Sequence, residues 1–378
     1  MKKLLFFVCI IVLAISLSYG YEIAPISSWT TQEAILPTLP NNLGTQMAGG
    51  VIVGDYLYFI GGNNNFDGDT ARVWRLPIDP VTGALGTAIA DTALPTAANF
   101  CYLYETIDAT ADHIYISGGG YNSPGPNRNV ATYSAINPDG SLAGWTESAI
   151  FPNANGSTFP YDPELGGGII CENGYLYCFG GDGENVLTFN DCFYAQINPG
   201  GSLGSWTRGT NLPNTWWFPA VCSIGNYIIA QGGIYDGKTT TNSTDKVHVC
   251  QVNPDGSMGA WVEQAAKLPA TVYNLNFVAV RNIIYALGGR LPGVGTEQVY
   301  CWQATFDPGT GTVGAWSNAI DAQLPTPGAR YHDAAYSPES RRLYVFSIRT
   351  AAGITNQAFI SSELIAPTKV KADWNIYE

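Results

Sequence analysis

The sequence predicts an all-β protein built from six repeated antiparallel units, and three observations support this prediction. The chain of 378 residues contains 43 Gly and 23 Pro, which interrupt helices and favour turns. It also contains 22 Tyr and 10 Trp, residue types that pack well on pleated sheets. Finally, a short apolar segment that ends in paired glycines recurs along the chain. Together these features are typical of many short strands joined by turns.

The recurring glycine pair divides the chain into units of 52 to 62 residues. The first glycines of the pairs are Gly61, Gly118, Gly180, Gly232 and Gly288, and a sixth copy has Ser347 at this place. A second landmark keeps the same phase, namely a Trp that follows a Gly-rich turn and precedes a Leu-Pro or Phe-Pro pair. These residues are Trp145, Trp206, Trp261 and Trp316, with Ala88 in one unit and Trp29 in an extra N-terminal copy. Each unit has room for four strands.

Four antiparallel strands on a short period indicate the blade of a β-propeller. In the third unit, Asn173-Gly174 joins the first two strands as a tight hairpin turn. The sixth unit supplies only three strands, within 331–337, 343–347 and 357–365. We therefore predict a six-bladed propeller in which the N-terminal strand around Trp29 completes the last blade and removes the free sheet edges.

The glycine pairs and the phased Trp residues resemble the kelch-repeat family of propellers, over about residues 25–366. The period is also close to that of the family. Ala88 in place of Trp and Ser347-Ile348 in place of Gly-Gly depart from its pattern. The resemblance implies that the glycines allow close approach of neighbouring backbones and that the Trp side chains pack between blades.

The first 20 residues are interpreted as a signal peptide and excluded from the fold. Lys2 and Lys3 precede an apolar segment at 4–15, and the small residues Ser18 and Gly20 end the segment. That apolar run is too short to span a bilayer comfortably, and no later one is long enough. We expect an exported protein, periplasmic or extracellular, with a single domain at 21–366 and a tail at 367–378.

The net charge and the cysteine content limit the partners and metal sites that we expect. A net charge of −13 predicts repulsion from a phosphate backbone, so we expect no nucleic-acid partner. Seven of the eight Cys lie beyond the signal peptide, in apolar segments and without metal-site spacing. They are interpreted as small buried residues, although one or two disulfides, for example between Cys178 and Cys192, remain open.

The residues 63–69 match half of a calcium loop, but Trp74 stands where the closing Glu is needed. We expect no metal and no cofactor.

The candidate site is the face that carries the long connections, because function concentrates in such loops. Its aromatic, acidic and basic side chains suit a glycan or an extracellular protein partner of a monomeric propeller. The candidate residues are Trp216, Trp217, Tyr121, Tyr235, Tyr273, Tyr331, Asp182, Glu184, Arg290, Arg330 and Arg349. The competing interpretation is that most of these aromatic residues pack the loops onto the blades.

Two classes of kelch-like enzyme share this architecture, and neither assigns a catalytic residue to this chain. Galactose oxidase needs two His and two Tyr for its copper, whereas this chain offers only His332 at the channel mouth. A sialic-acid mutarotase needs a polar funnel with Arg for a carboxylate and a weak base. Arg290, Arg330 and Arg349, with Asp182 or Glu184, could supply these groups. The sequence therefore predicts a binding module, with a sugar-active enzyme as the alternative.

Overall fold

The computed structural model describes most of the chain between the two termini. The described residues are 22–23, 25–37, 46–63, 71–95, 106–118, 129–154, 165–183, 188–231, 233–237, 239–293, 296–317, 323–325, 328–350 and 353–366. The predicted signal peptide, the tail at 367–378, Tyr121 and Glu184 lie outside these ranges. For Asp182 only the backbone is described.

Six four-stranded antiparallel sheets form the molecule, as the sequence predicts for a six-bladed β-propeller. In the first five blades the strands follow one another in chain order from the inner to the outer edge. Blade 1 comprises Gly49–Val53, Tyr56–Ile60, Val73–Pro77 and Ile89–Ala90; blade 2 comprises Ile107–Ala109, His113–Ser117, Ala131–Ile136 and Leu142–Glu147; blade 3 comprises Leu165–Glu172, Tyr175–Asp182, Cys192–Gln196 and Thr207–Arg208.

The other blades repeat this arrangement. Blade 4 comprises Ala220–Ile224, Tyr227–Gln231, Val247–Val252 and Met258–Glu263; blade 5 comprises Tyr273–Val280, Ile283–Arg290, Cys301–Asp307 and Thr312–Val313; blade 6 comprises Asp333–Ser337, Arg342–Phe346, Ala358–Ser361 and, from the N-terminus, Trp29–Gln32. Three short ladders accompany the blades, and they pair Glu22–Ile23 with Ile365–Ala366, Trp216–Trp217 with Ile234–Tyr235, and Arg349–Thr350 with Gly353–Ile354. Thr240–Asn242 form a single 3-10 turn. Within the described ranges, no helix has the length and apolar character to cross a bilayer.

The ring closes through the N-terminal strand, which confirms the predicted closure. Trp29 lies opposite Ser361 and Gln32 lies opposite Ala358, so the first described blade strand of the chain is the outer strand of blade 6. The backbone groups of the strand Ala358–Ser361 are thereby paired on both sides. This pairing satisfies an edge that would otherwise be open to association with other strands.

The repeated Trp residues pack between neighbouring blades, as predicted. The ring of Trp206 in blade 3 lies 4.4 Å from that of Phe151, which belongs to the segment leaving blade 2. Its indole N–H donates to the carbonyl oxygen of Ala149 at 2.9 Å. Trp145 and Trp261 make the same kind of bond to the preceding blade, at 2.9 and 3.2 Å. These three Trp residues therefore join apolar burial to one hydrogen bond across a blade boundary, whereas the Trp316 indole N–H has no such partner among the described residues.

A second set of inter-blade bonds comes from four of the five Tyr residues that lie three positions before the first glycine of a pair or before Ser347; blade 4 has Ile229 at this place. Each buried hydroxyl donates to a glycine carbonyl in the turn between the third and fourth strands of the next blade, at 2.7 to 2.9 Å. The pairs are Tyr58 with Gly140, Tyr115 with Gly201, Tyr177 with Gly256, and Tyr344 with Gly83. The blade 5 counterpart, Tyr285, has no such partner among the described residues. Blade 6 lacks that turn because its fourth strand comes from the other end of the chain.

The glycine pairs permit close packing of the segment that leads into the next blade. At Gly288, whose φ is +66°, an added Cβ would lie 2.6 Å from the ring of His332. In blade 6 Ser347 holds the same left-handed conformation, with a φ of +58°, and its hydroxyl accepts a hydrogen bond from the Ala48 backbone N–H at 2.9 Å. The structural interpretation of the glycine landmark is thus confirmed, and serine replaces glycine where it can bond the passing chain.

Six of the seven Cys beyond the predicted signal peptide are described, and all six are free thiols. Five are buried and Cys171 is partly buried. Cys178 lies opposite Phe193, and Cys192 lies opposite Phe179, so the two thiols of the suggested disulfide are diagonal neighbours and are not joined. The interpretation as small buried residues therefore holds for these positions, and the Cys178–Cys192 disulfide is absent.

Candidate functional site

Three arginines meet at the long-loop face of blades 5 and 6. Arg290 ends the second strand of blade 5, Arg330 precedes the first strand of blade 6, and Arg349 follows the second strand of that blade. The backbones of Arg330 and Arg349 exchange two hydrogen bonds of 3.1 Å. Arg290 lies opposite Glu297 in an isolated bridge between its strand and the following loop. Three separate segments thus bring their guanidinium groups to one place, which we call the arginine site.

Electrostatic effects show that these groups act on one another. Burial lowers the pKa of Arg330, the carboxylate of Glu297 opposes that shift, and the positive charges of Arg290 and Arg349 add to it. The Arg330 Nε atom lies 2.8 Å from Glu297 Oε1, and the two side chains are only 13% and 3% exposed. Glu297 therefore neutralises one of the three cations from a buried position.

The other two arginines have neutral partners. Arg349 donates to the side-chain oxygen of Gln46 at 2.8 Å. Arg290 is bonded to the Tyr273 hydroxyl, and its charge opposes the burial that raises the pKa of this Tyr. Among the described residues neither Arg290 nor Arg349 forms an ion pair with an acidic side chain. Within the described part of the chain, the arginine site therefore keeps about two positive charges without an acidic partner in a partly buried position, and this local excess contrasts with a chain of net charge −13.

An apolar group, which we call the mouth cluster, lies beside the arginines. Its members are Met47, Trp217, Phe218, Ile234, Tyr273 and Tyr331, from the inner ends of blades 1, 4, 5 and 6. The rings of Trp217 and Phe218 stack at 4.3 Å, and the Arg330 guanidinium lies 5.1 Å over the ring of Tyr331. Because Tyr273 and Tyr331 touch both groups, the arginine site borders an aromatic surface.

The backbone at the mouth is unusual in the same way in four blades. Met47, Phe218, Asn274 and Tyr331 have φ values of +60°, +56°, +53° and +49°. Each lies two residues before a residue of the first strand of its blade. That first-strand residue pairs with the second-strand residue that directly precedes the glycine pair, or directly precedes Ser347 in blade 6. A left-handed conformation costs a non-glycine residue about 1 kcal/mol or more. In this conformation the side chains of Met47, Phe218 and Asn274 are buried at the channel mouth.

The structure separates the remaining predicted residues. Trp216 was expected on the exposed face, but its side chain is 0% exposed and packs between blades 3 and 4 against Trp261, at 5.3 Å. Tyr235 is partly buried and stacks on Trp216 at 6.3 Å. The competing interpretation of loop aromatics as packing residues therefore holds for Trp216. Asp182 pairs through its backbone with Leu165.

Below the mouth, the central channel contains two aspartates that the sequence analysis did not identify. The inner strands enclose a cavity of about 290 Å³, whose lining residues include Asp108, Asp333 and Asn276. Burial raises the pKa of Asp108 to about 6, and it raises that of Asp333 well above the usual range. Glu297 and Gln46 at the arginine site were also missed. The only sequence signal was an acidic or amide residue in or beside an otherwise apolar strand segment.

The three His residues do not form a common site. His332 is buried and its Nε2 lies 3.2 Å from the carbonyl oxygen of Leu287, and burial lowers its pKa to about 4. His113 opens the second strand of blade 2 and His248 lies in the third strand of blade 4. Among the described residues, no group of three or more His, Cys, Asp or Glu is placed to hold a metal ion.

Fold and site together define a six-bladed β-propeller with a cationic, partly aromatic site at its long-loop face. No protein-family model and no curated protein matches the sequence. Among solved structures, the chain is similar to YjhT, with a TM-score of 0.59 and 14% identity, over 89% of this chain and 98% of that one. This likeness shows a shared propeller fold.

Proposed function

We propose that the protein is an exported propeller of the kelch type that binds a glycan carrying a carboxylate group at the arginine site. The observation that supports this proposal is the convergence of Arg290, Arg330 and Arg349 around the single carboxylate of Glu297. A partly buried cation whose partners are neutral is costly, and a ligand carboxylate would offset that cost through paired N–H donors.

The aromatic neighbours of the arginines favour a sugar. Tyr331, which is partly exposed, offers ring surface on which the C–H groups of a sugar can stack, while the guanidinium groups bond its polar substituents. Tyr273 is only 5% exposed, so it contributes through the hydroxyl that is bonded to Arg290 rather than through its ring face. Trp217 in the same cluster extends this surface. Tyr121, Asp182 and Glu184 remain predicted contacts from neighbouring loops. An acidic protein surface would satisfy the same charges, since Tyr, Trp and Arg also dominate protein interfaces.

A sugar-active enzyme of the mutarotase type is the second candidate. Clustering of the three arginines, rather than their dispersal round the rim, is the arrangement that such an enzyme needs. Glu297 is a buried carboxylate beside Arg330, and Tyr273 keeps its proton because burial raises its pKa. These two groups are the candidate proton carriers of the site.

Titration calorimetry with N-acetylneuraminate, glucuronate and neutral N-acetylglucosamine tests the binding proposal. We expect the acidic sugars alone to bind, and Arg290→Gln to weaken binding about tenfold or more. Arg281→Gln is the matched control, because this Arg lies in the turn between the first two strands of blade 5, at the opposite face. Equal binding of acidic and neutral sugars, or an equal loss in both variants, would reject the carboxylate site.

The same preparation distinguishes the two candidate functions. Proton NMR follows the anomers of N-acetylneuraminate after it is released in one form. A binding module leaves the rate of equilibration unchanged at catalytic protein concentration, whereas an enzyme accelerates it and loses that acceleration in Glu297→Gln. Binding only to an acidic peptide or protein would replace the glycan with a protein partner.

A further inference from the structure

Asp333 connects the wall of the channel to both neighbouring blades. One carboxylate oxygen accepts the backbone N–H of Gly50 in blade 1 at 2.8 Å. The other accepts the backbone N–H of Ala334 at 2.8 Å and the side-chain amide of Asn276 in blade 5 at 3.3 Å. Asp333 is only 5% exposed. Its two oxygens thus fix the start of the first strand of blade 6 where the ring closes.

The three residues before Asp333 lead directly to the arginine site. His332 contacts the carbonyl oxygen of Leu287 in blade 5, and the Tyr331 carbonyl accepts the backbone N–H of Met47 in blade 1 at 3.0 Å. The backbone of Tyr331 has the left-handed conformation, so its position depends on the hydrogen bonds of the residues on both sides of it. Arg330 then pairs with Arg349 and Glu297. The segment from Asp333 to Arg330 therefore spans the distance from the channel to the proposed ligand.

We propose that Asp333 is a positioning residue for the arginine site, and that its carboxylate holds Tyr331 and Arg330 in the geometry that receives the ligand. The effect on a ligand rests on the proposed function, whereas the effect on the Arg330 segment does not. Asp333 acts through His332, Tyr331 and Arg330, which connect it to the arginine site, and it does not itself touch the ligand.

The ionisable groups that face Asp333 are few. Its neighbours from blade 1 and blade 5 are the Gly50 amide and Asn276, neither of which titrates, and the charge of Asp108 acts on it across the channel. The other ionisable residues that line the channel are Cys222 and Tyr336. An ionised Asp333 accepts all three N–H groups, whereas a protonated one loses acceptor capacity at one oxygen. Affinity for an acidic sugar is therefore expected to rise as pH rises through the Asp333 pKa.

Asp108 provides a matched control in blade 2. Its carboxylate accepts the backbone N–H of Cys171 in blade 3 at 2.7 Å and that of Ala109 at 2.8 Å. This geometry repeats that of Asp333, with one bond to the next blade and one to the following residue. Among the described residues, none that adjoins Asp108 in the chain belongs to the mouth cluster or acts on the charge of Arg330. Asp108→Asn therefore reproduces the local damage to an inner strand without the proposed effect.

Hydrogen exchange measured by mass spectrometry tests the inference without any ligand. At a pH above the Asp333 pKa, where the wild-type carboxylate is ionised, we expect Asp333→Asn to show about tenfold faster exchange of the Arg330 and Arg349 amides, since an amide group cannot accept on both sides. In Asp108→Asn we expect faster exchange near Cys171 and none of this change. Should Asp333→Asn fail to fold, Asn276→Ala removes one of the three donors and is expected to show the same change in smaller measure. Unchanged Arg330 and Arg349 amides in the folded variant, or equal changes in both Asn variants, would overturn the proposal.

Calorimetry with N-acetylneuraminate supplies the second measurement. Wild type is expected to bind about tenfold more tightly than Asp333→Asn at high pH and to approach it at low pH, whereas the variant stays flat. Asp108→Asn is expected to keep wild-type affinity at high pH. If wild type binds no acidic sugar, the proposed function fails while the exchange result still decides the role of Asp333. Parallel pH profiles in wild type and Asp333→Asn would reject that role even if the sugar binds.

Discussion

Replacing Tyr177 by Phe should destabilise the propeller, whereas the same change at Tyr285 should not. The Tyr177 hydroxyl is fully buried and donates to the Gly256 carbonyl of the next blade at 2.9 Å. Removal of the hydroxyl leaves that carbonyl without this donor in a desolvated place. A lost buried hydrogen bond of this kind costs about 1–2 kcal/mol of unfolding free energy.

Tyr285 is the matched position in blade 5, and its hydroxyl is equally buried. It has no hydrogen-bond partner among the described residues, because the ring closure removes the turn that would supply one. Tyr285→Phe therefore removes a desolvated polar group and breaks no bond. Its effect should lie between zero and a gain of about 1 kcal/mol.

Urea unfolding followed by Trp fluorescence measures both variants against wild type. The expected difference between them is about 1–3 kcal/mol, with Tyr177→Phe the less stable. Equal destabilisation by the two substitutions would refute the reasoning, because it would mean that loss of the hydroxyl itself, rather than loss of its bond to the next blade, sets the cost.

Two further predictions concern the blade boundaries and the channel. Trp206→Ala should lower the unfolding free energy by about 2–4 kcal/mol, since it removes the contact with Phe151 and the hydrogen bond to Ala149. Trp206→Phe should recover part of the lost free energy. An unchanged unfolding free energy for Trp206→Ala in urea would contradict the packing role. Stability should also depend on Asp108, whose folded pKa of about 6 lies above its ordinary value of 3.8. The folded state then holds the Asp108 proton more tightly, so the contribution of Asp108 to the unfolding free energy should decline as pH rises from about 4 to about 6, whereas the contribution of His332, whose pKa burial lowers to about 4, rises over that range. Asp108→Asn should flatten this decline, and an unchanged slope in thermal unfolding across that range would contradict the assignment.

Much of the candidate site could be named from the sequence, because strand alternation assigns each loop to a face. Arg290, Arg330 and Arg349 were selected in this way, and they do meet. Trp216 was selected by the same rule but is a core residue, because a loop aromatic can turn inward as easily as outward. Glu297, which neutralises Arg330, follows a strand in a segment with no distinguishing pattern. Loop membership places a residue on a face but does not fix the direction of its side chain.

The sequence by itself determined the number of blades, the exchange of the N-terminal strand and the packing of the repeated Trp. These features follow from the repeat along the sequence, because every copy of a short apolar pattern must bury the same face against the next copy. Only the tertiary structure decided that two of the three clustered arginines have no acidic partner in the described ranges and that Asp333 bonds to blades 1 and 5. Those arrangements depend on how strands from distant parts of the chain align across blade boundaries, and side-chain contacts between such strands have no signature in the spacing of residues along the chain.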